Sequence, residues 1–146
     1  MLKGIDPLLA PDLLRVLAAM GHGDEICLAD ANFPAEAVAG SRPLLRLPGV
    51  PGPRALEAIL SVLPLDSFVG KPAAVMQVVG DPDAVPPPVR DFQMVLDRAE
   101  GRAVPIESLE RFAFYERARG AFAVVATGEP RAYGNIILKK GVILSP

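Results

Sequence analysis

Residues Ala121–Thr127, A-F-A-V-V-A-T, place the tightest limit on how this chain can fold. The run is short, continuous and rich in β-branched side chains, with no polar position alternating along it. A strand of that kind is buried on both faces, as strands of parallel sheets are. It therefore demands apolar cover from two sides, and helices with one oily face are the usual source of it.

The rest of the chain supplies that cover. Ala10–Met20 reads as a helix, with Pro11 and Asp12 suited to its first turn, Gly21 just beyond its end and Leu13, Leu14, Val16 and Leu17 on a broad apolar face. Glu25–Ala29 reads as a strand, Asp30–Pro34 as a turn, and Leu44–Leu47 as a second short strand. Pro53–Leu63 reads as a helix with Leu56, Ile59, Leu60 and Leu63 on one side. Ala73–Val79 is β-rich and stopped by Gly80-Asp81-Pro82, and Pro86-Pro87-Pro88 is expected to be extended. Val89–Ala99 follows as a helix burying Phe92, Val95 and Leu96. Glu107–Arg119 is expected to be another helix, capped near Ser108 and ended by Gly120. Tyr133–Lys139 and Val142–Leu144 complete the strands. Strands alternating with helices, without a linker or repeat, predict a single α/β domain over residues 1–146: a sandwich around a mixed sheet.

Composition narrows the function. Half of the 146 residues are hydrophobic (51%), and the formal net charge is −2 without clustered Lys or Arg, which argues against a nucleic-acid partner. Cys27 is the only cysteine and lies inside an apolar run, so it can form neither an internal disulfide nor a zinc site and is expected in the core. The first residues carry Asp6, Asp12 and Arg15 among leucines and do not read as a signal peptide. No apolar run reaches the ~18 residues of a membrane span, so the cytoplasm is the expected compartment.

The chemistry-bearing residues fall in three places. Met20–Pro34 holds the sole histidine, His22, between Gly21 and Gly23, with Asp24 close behind and Asp30 after the apolar run Ile26–Ala29. Imidazole titrates near neutrality, and flanking glycines let another molecule approach closely. The plainer alternative is a polar turn with a solvated histidine. In E-S-L-E-R-F-A-F-Y-E-R-A-R-G, Arg111 and Tyr115 are four apart on one helix face. A guanidinium beside a phenol suits a polyhydroxylated ligand, although an ordinary amphipathic helix would read the same. Tyr133-Gly134-Asn135 brings a phenol, bare backbone and an amide together before a strand, or forms a simple turn. Lys139-Lys140 suits a solvated edge. No phosphate-cradling glycine motif, catalytic-metal spacing or serine nucleophile elbow is present, so neither a metal nor a cofactor is expected.

G-H-G-D-E-I, D-A-N-F-P, R-F-A-F-Y-E-R-A and Y-G-N-I-I-L-K-K-G, in that order and spanning Leu2 to Val142, resemble the family of L-fucose mutarotase and D-ribose pyranase. The R-F-A-F-Y-E-R-A helix resembles its fucose branch. The resemblance implies a three-layer α/β/α protomer that assembles into a ring-shaped homodecamer with sugar sites between subunits. It also implies cofactor-independent exchange of monosaccharide anomers. His22 matches the catalytic histidine, Asp30, Arg111, Tyr133 and Asn135 match sugar-contacting positions, and Tyr115 lies in the matching helix motif. Asn32 stands where fucose-type sequences often carry a histidine, which leaves the preferred sugar open. Pyranose–furanose exchange of ribose or another aldose, and sugar binding without catalysis, are the alternatives.

Overall fold

In the computed structural model, which describes residues 1–146, helices and strands alternate as α1 (Pro11–Ala19), β1 (Glu25–Ala29), α2 (Ala35–Ala39), β2 (Leu44–Leu47), α3 (Gly52–Leu60), β3 (Ala73–Met76), α4 (Pro87–Glu100), β4 (Ile106–Leu109), α5 (Arg111–Arg119), β5 (Ala123–Thr127) and β6 (Ile136–Lys139). The strands form one sheet in the order β2-β5-β1-β6-β3-β4. β5 is parallel to β1 and β2, and β3 to β4. β6 alone runs the other way, antiparallel to both β1 and β3.

Side-chain alternation explains the two buried faces. In β1, Ile26 and Leu28 point into one core and Cys27 and Ala29 into the other; in β6, Ile136 and Leu138 oppose Ile137. The larger core packs that face on α1, α3 and α4 through Leu13, Val16, Leu56, Ile59, Phe92 and Leu96. The smaller core packs the opposite face on α2 and α5 through Ala35, Val38, Phe114 and Ala118. The result is a three-layer α/β/α sandwich around a mixed sheet, as expected. Cys27 is buried and its thiol is held in the neutral form by desolvation. No helix is long and apolar enough to cross a membrane.

Four local expectations change. Residues 106–109 are an edge strand paired with β3, and the helix starts only at Arg111, capped by the Glu110 carboxylate accepting from the Phe112 and Ala113 N–H groups. The four-residue stretch I-E-S-L is too short for periodicity to separate strand from helix. Of the three prolines, only Pro86 is extended; Pro87 and Pro88 occupy the first helical turn, where a missing N–H costs nothing. Residues 35–39, expected in no element, form the short helix α2. Val142–Leu144 joins no strand: the sheet pairing ends at Lys139, and Lys140 makes only a single bridge to Leu65.

α5 is anchored by few side chains, since only Phe114 and Ala118 of its nine residues are buried. Truncating Phe114→Ala should therefore cost about 3–5 kcal/mol of stability, measured as a lowered urea midpoint with an unchanged slope.

Candidate active site

The carboxyl ends of the parallel strands and the start of β6 lie at one edge of the sheet, because β6 is reversed. Asp30 follows β1, Arg111 follows β4, and Tyr133–Asn135 lead into β6. In open α/β sheets, ligands bind at this edge where successive connections diverge. Here β1 is followed by a crossover to β2 on one side, and β3 by a crossover to β4 on the other. Between them opens a cavity of about 270 Å³ lined by Asp30, Asn32, Phe33, Arg111, Tyr115, Tyr133 and Asn135, with Met76 and Val79. Five of the six expected site residues thus meet in one place.

Each is held by identifiable contacts. The Asp30 N–H donates to Asn135 Oδ1 at 2.8 Å, and Asp30 Oδ1 accepts from the Asn32 N–H at 2.9 Å. With its Oδ1 engaged, the Asn135 amide has its NH₂ group to donate, toward the Asp30 carboxyl. Burial pushes the Asp30 carboxyl above the usual carboxylate range, against the hydrogen bonds from Asn32 and Asn135 that oppose the shift. Tyr133 sits at φ +62°, the left-handed region few non-glycine residues adopt, and its hydroxyl accepts from the Val79 N–H at 3.1 Å. The phenolic proton is left free to donate. Gly134 admits no side chain, since a Cβ there would lie 2.5 Å from Glu129 Cγ. The Arg111 guanidinium lies 5.9 Å from the Tyr115 ring centroid, and Phe33 packs on that ring at 5.5 Å.

His22 stands elsewhere. It lies before β1, at the opposite end of the strand from Asp30, and the five residues of that strand, about 16 Å in length, run between them. A single protomer does not bring His22 to the cavity. The turn that carries it is rigid: Asp24 Oδ2 accepts from the Gly21 N–H at 2.7 Å, and Gly23, at φ +85°, donates its N–H to the Lys140 carbonyl. Asp24 is thus a turn residue. His22 Nε2 lies 3.2 Å from Asp66 Oδ1; the carboxylate is 4% exposed and the imidazole 47%. The Phe68 N–H and then His22 hold the Asp66 carboxyl below its ordinary range. Phe68 stacks at a tilt 5.5 Å from the imidazole and is itself 67% exposed.

Asp66 and Glu129 escaped the reading of the sequence. Asp66 sits in P-L-D-S-F and Glu129 in T-G-E-P, stretches that look like ordinary turns. A depression of about 550 Å³ adjoins the cavity across Asp30 and Phe33. Its charged residues Glu36 and Arg46 pair with each other, so the smaller cavity offers the unmet polar groups. No cluster of three or more His, Cys, Asp and Glu side chains is placed to hold a metal ion. The cavity instead presents a carboxylate acceptor, guanidinium, amide and phenol donors, and aromatic faces, a set matched to a hydroxylated ring.

Because the Asp30 pKa is raised in the folded state, its contribution to stability is fully present below the unfolded value of about 3.9 and is lost as pH rises through the folded value. Asp30→Asn should remove this component, so the difference in urea midpoint between variant and wild type should shift in the variant's favour from pH 4 to 7.

The model of the RbsD / FucU transport protein family matches residues 3–143. The chain is 51% identical to the fucose mutarotase of Homo sapiens, over 97% of this chain and 94% of that one. It is 46% identical to the L-fucose mutarotase of Actinobacillus pleuropneumoniae, over 97% of each. The fucose mutarotase of Streptococcus pneumoniae, solved in complex with L-fucose, superposes with a TM-score of 0.89 at 44% identity, covering 98% of this chain and 100% of that one. With a family model and relatives of about half identity matching it along almost its whole length, this chain belongs to the RbsD / FucU transport protein family.

Proposed function

We propose that this protein is an isomerase that interconverts the α and β anomers of L-fucose or a closely related aldose without a cofactor. The observation that carries the reading is the convergence of Asp30, Arg111, Tyr115, Tyr133 and Asn135 on one small cavity, in a chain about half identical to fucose mutarotases. Exchange requires a proton delivered to the ring oxygen and one removed from the anomeric hydroxyl. The C1–O5 bond then opens to the aldehyde, the C1 carbonyl presents its other face, and the two transfers run in reverse on closure. No net proton or electron is consumed. Each positioned acid or base contributes about 10²–10⁴-fold, and a reaction that already proceeds unaided in water needs little more.

In this scheme His22 carries one proton. Asp66 orients its ring through Nε2, which leaves Nδ1 without a partner in the protomer. Asp30 accepts from sugar hydroxyls, while Arg111, Tyr133 and Asn135 fix the pyranose. Tyr115, packed between Phe33 and Arg111, contacts the ring or relays the second proton. Asn32 lines the same cavity and cannot carry a proton at neutral pH, so it acts on sugar preference.

The proposal joins His22 of one subunit to the cavity of a neighbour, in a homo-oligomer read as a ring-shaped decamer working in the cytoplasm. Three exposed apolar side chains support it: Phe68 beside the imidazole, Phe112 beside Arg111, and Val79 on the cavity rim. Contact with a second copy would remove them from water.

Saturation transfer between anomeric proton signals, over a sugar panel that includes fucose and ribose, tests the reading. Fucose should show the largest acceleration. His22→Gln should slow exchange by about 10²–10⁴-fold while sugar still binds. Mixed oligomers of His22→Gln and Asn135→Ala chains should exchange anomers faster than either variant does alone. Exchange by His22→Gln at the wild-type rate would exclude the histidine. Faster pyranose–furanose exchange of ribose would move the protein to the ribose branch, and binding without acceleration would make it a sugar-binding module.

A further inference from the structure

Beneath the cavity, and not lining it, lies a second buried carboxylate. The Glu129 side chain is 1% exposed and accepts four hydrogen bonds: from the Gly52 N–H at 3.1 Å, the Arg131 N–H at 3.0 Å, Arg131 Nε at 2.7 Å and Arg131 Nη2 at 3.1 Å. Arg131 Nη1 continues to Asp91 of α4 at 2.7 Å. A buried charge is tolerable when fully paired in this way, and a forked guanidinium fixes its direction as well as its charge.

The backbone of Glu129 is tied in too. Its carbonyl accepts from the Ala31 N–H at 2.9 Å, directly after Asp30, and its own N–H donates to Thr127 Oγ1, which donates to the Ala29 carbonyl. Gly134 packs flat on the Glu129 side chain: a Cβ would stand 2.5 Å from Glu129 Cγ and 3.4 Å from Asp30 Cβ. One residue therefore touches the turn after β1, the start of α3, and the corner that holds Tyr133 in its left-handed conformation.

We propose that Glu129, clamped by Arg131, is a positioning residue that sets the depth and angle of the Tyr133–Gly134–Asn135 corner against Asp30, and so the affinity for sugar, without touching sugar itself. The proposal rests on the sugar reading of the cavity above. If Glu129 acts only on placement, disturbing it weakens binding of the ring in the ground and transition states alike. The concentration for half-saturation then rises while turnover at saturation stays nearly constant.

Glu129→Gln keeps the shape but sets an NH₂ group against donors that need an acceptor. Arg131→Lys keeps the charge but loses the fork, at a partly exposed site that a lysine ammonium can still occupy. Exchange rates by saturation transfer across fucose concentrations should show KM raised about tenfold or more for Glu129→Gln and less for Arg131→Lys, with kcat within about threefold of wild type. Hydrogen–deuterium exchange over residues 128–136 should quicken in both variants without sugar present. Unchanged KM with only a lowered melting temperature would reduce Glu129 to a structural role and overturn the proposal. So would a fall in kcat at constant KM, which would place Glu129 in the chemistry. If Glu129→Gln fails to fold, Arg131→Lys decides alone, by the same split. A wild-type protein that accelerates no sugar would sink the function reading, while the exchange over residues 128–136 still reports whether the clamp holds the corner.

Discussion

The pairing of β6 between β1 and β3, antiparallel to both, is the constraint on which the arrangement depends. Had β6 run parallel, Tyr133–Asn135 would enter the sheet at the end that carries His22. Reversed, they enter beside Asp30, and the Asn135 side chain closes onto the Asp30 N–H. The same reversal delivers Lys139 and Lys140 to the far end, where the Lys140 carbonyl takes the Gly23 N–H and its ammonium reaches the Leu17 and Met20 carbonyls at the end of α1. One strand direction thus organises both polar ends of the molecule. It is secured by Ile136, Ile137 and Leu138, all buried and alternating between the two cores.

Three buried carboxylates show how environment separates roles among chemically similar groups. Glu129 faces a guanidinium and is held ionised. Asp66 takes the Phe68 N–H and the imidazole and is likewise held ionised. Asp30 has hydrogen-bond donors but no paired cation, and desolvation raises it. The first suits a strut, the second an orienting partner for a ring, and the third an acceptor open to a ligand. Chemistry placed in the cavity therefore meets a carboxylate whose needs are only partly met by the protein.

The two ends of β1 also divide the polar work. The cavity end is preorganised by Glu129, Arg131 and the aromatic stack of Phe33 on Tyr115. The histidine end is tied by the Asp24–Gly21 and Gly23–Lys140 hydrogen bonds, but its imidazole is half exposed and flanked by an exposed phenylalanine. In the proposed assembly these two rigid edges meet across subunits, so little need be ordered when sugar binds, and the entropy of placement is spent at folding.

Much of this was readable residue by residue. The continuous apolar run before Thr127 demanded a doubly covered strand, and Glu25–Ala29, Leu44–Leu47 and the helix faces of α1, α3 and α4 followed from local pattern. The polar residues Asp30, Arg111, Tyr115, Tyr133 and Asn135 of the cavity could be named from short motifs, whereas its apolar lining from Met76 and Val79 could not. Periodicity could not divide E-S-L-E from the helix after it, because four residues fit either repeat and β4 exists only through its pairing with β3. Nor could it mark Asp66 or Glu129: their near partners Phe68 and Arg131 look like parts of solvent-facing turns, while His22 and Gly52, which tie them to the rest of the fold, lie 44 and 77 positions away along the chain. Local pattern determines which face of an element is oily. Strand order and direction arise from long-range pairing, and that alone decided that Asp30 meets Asn135 while His22 stands at the opposite edge.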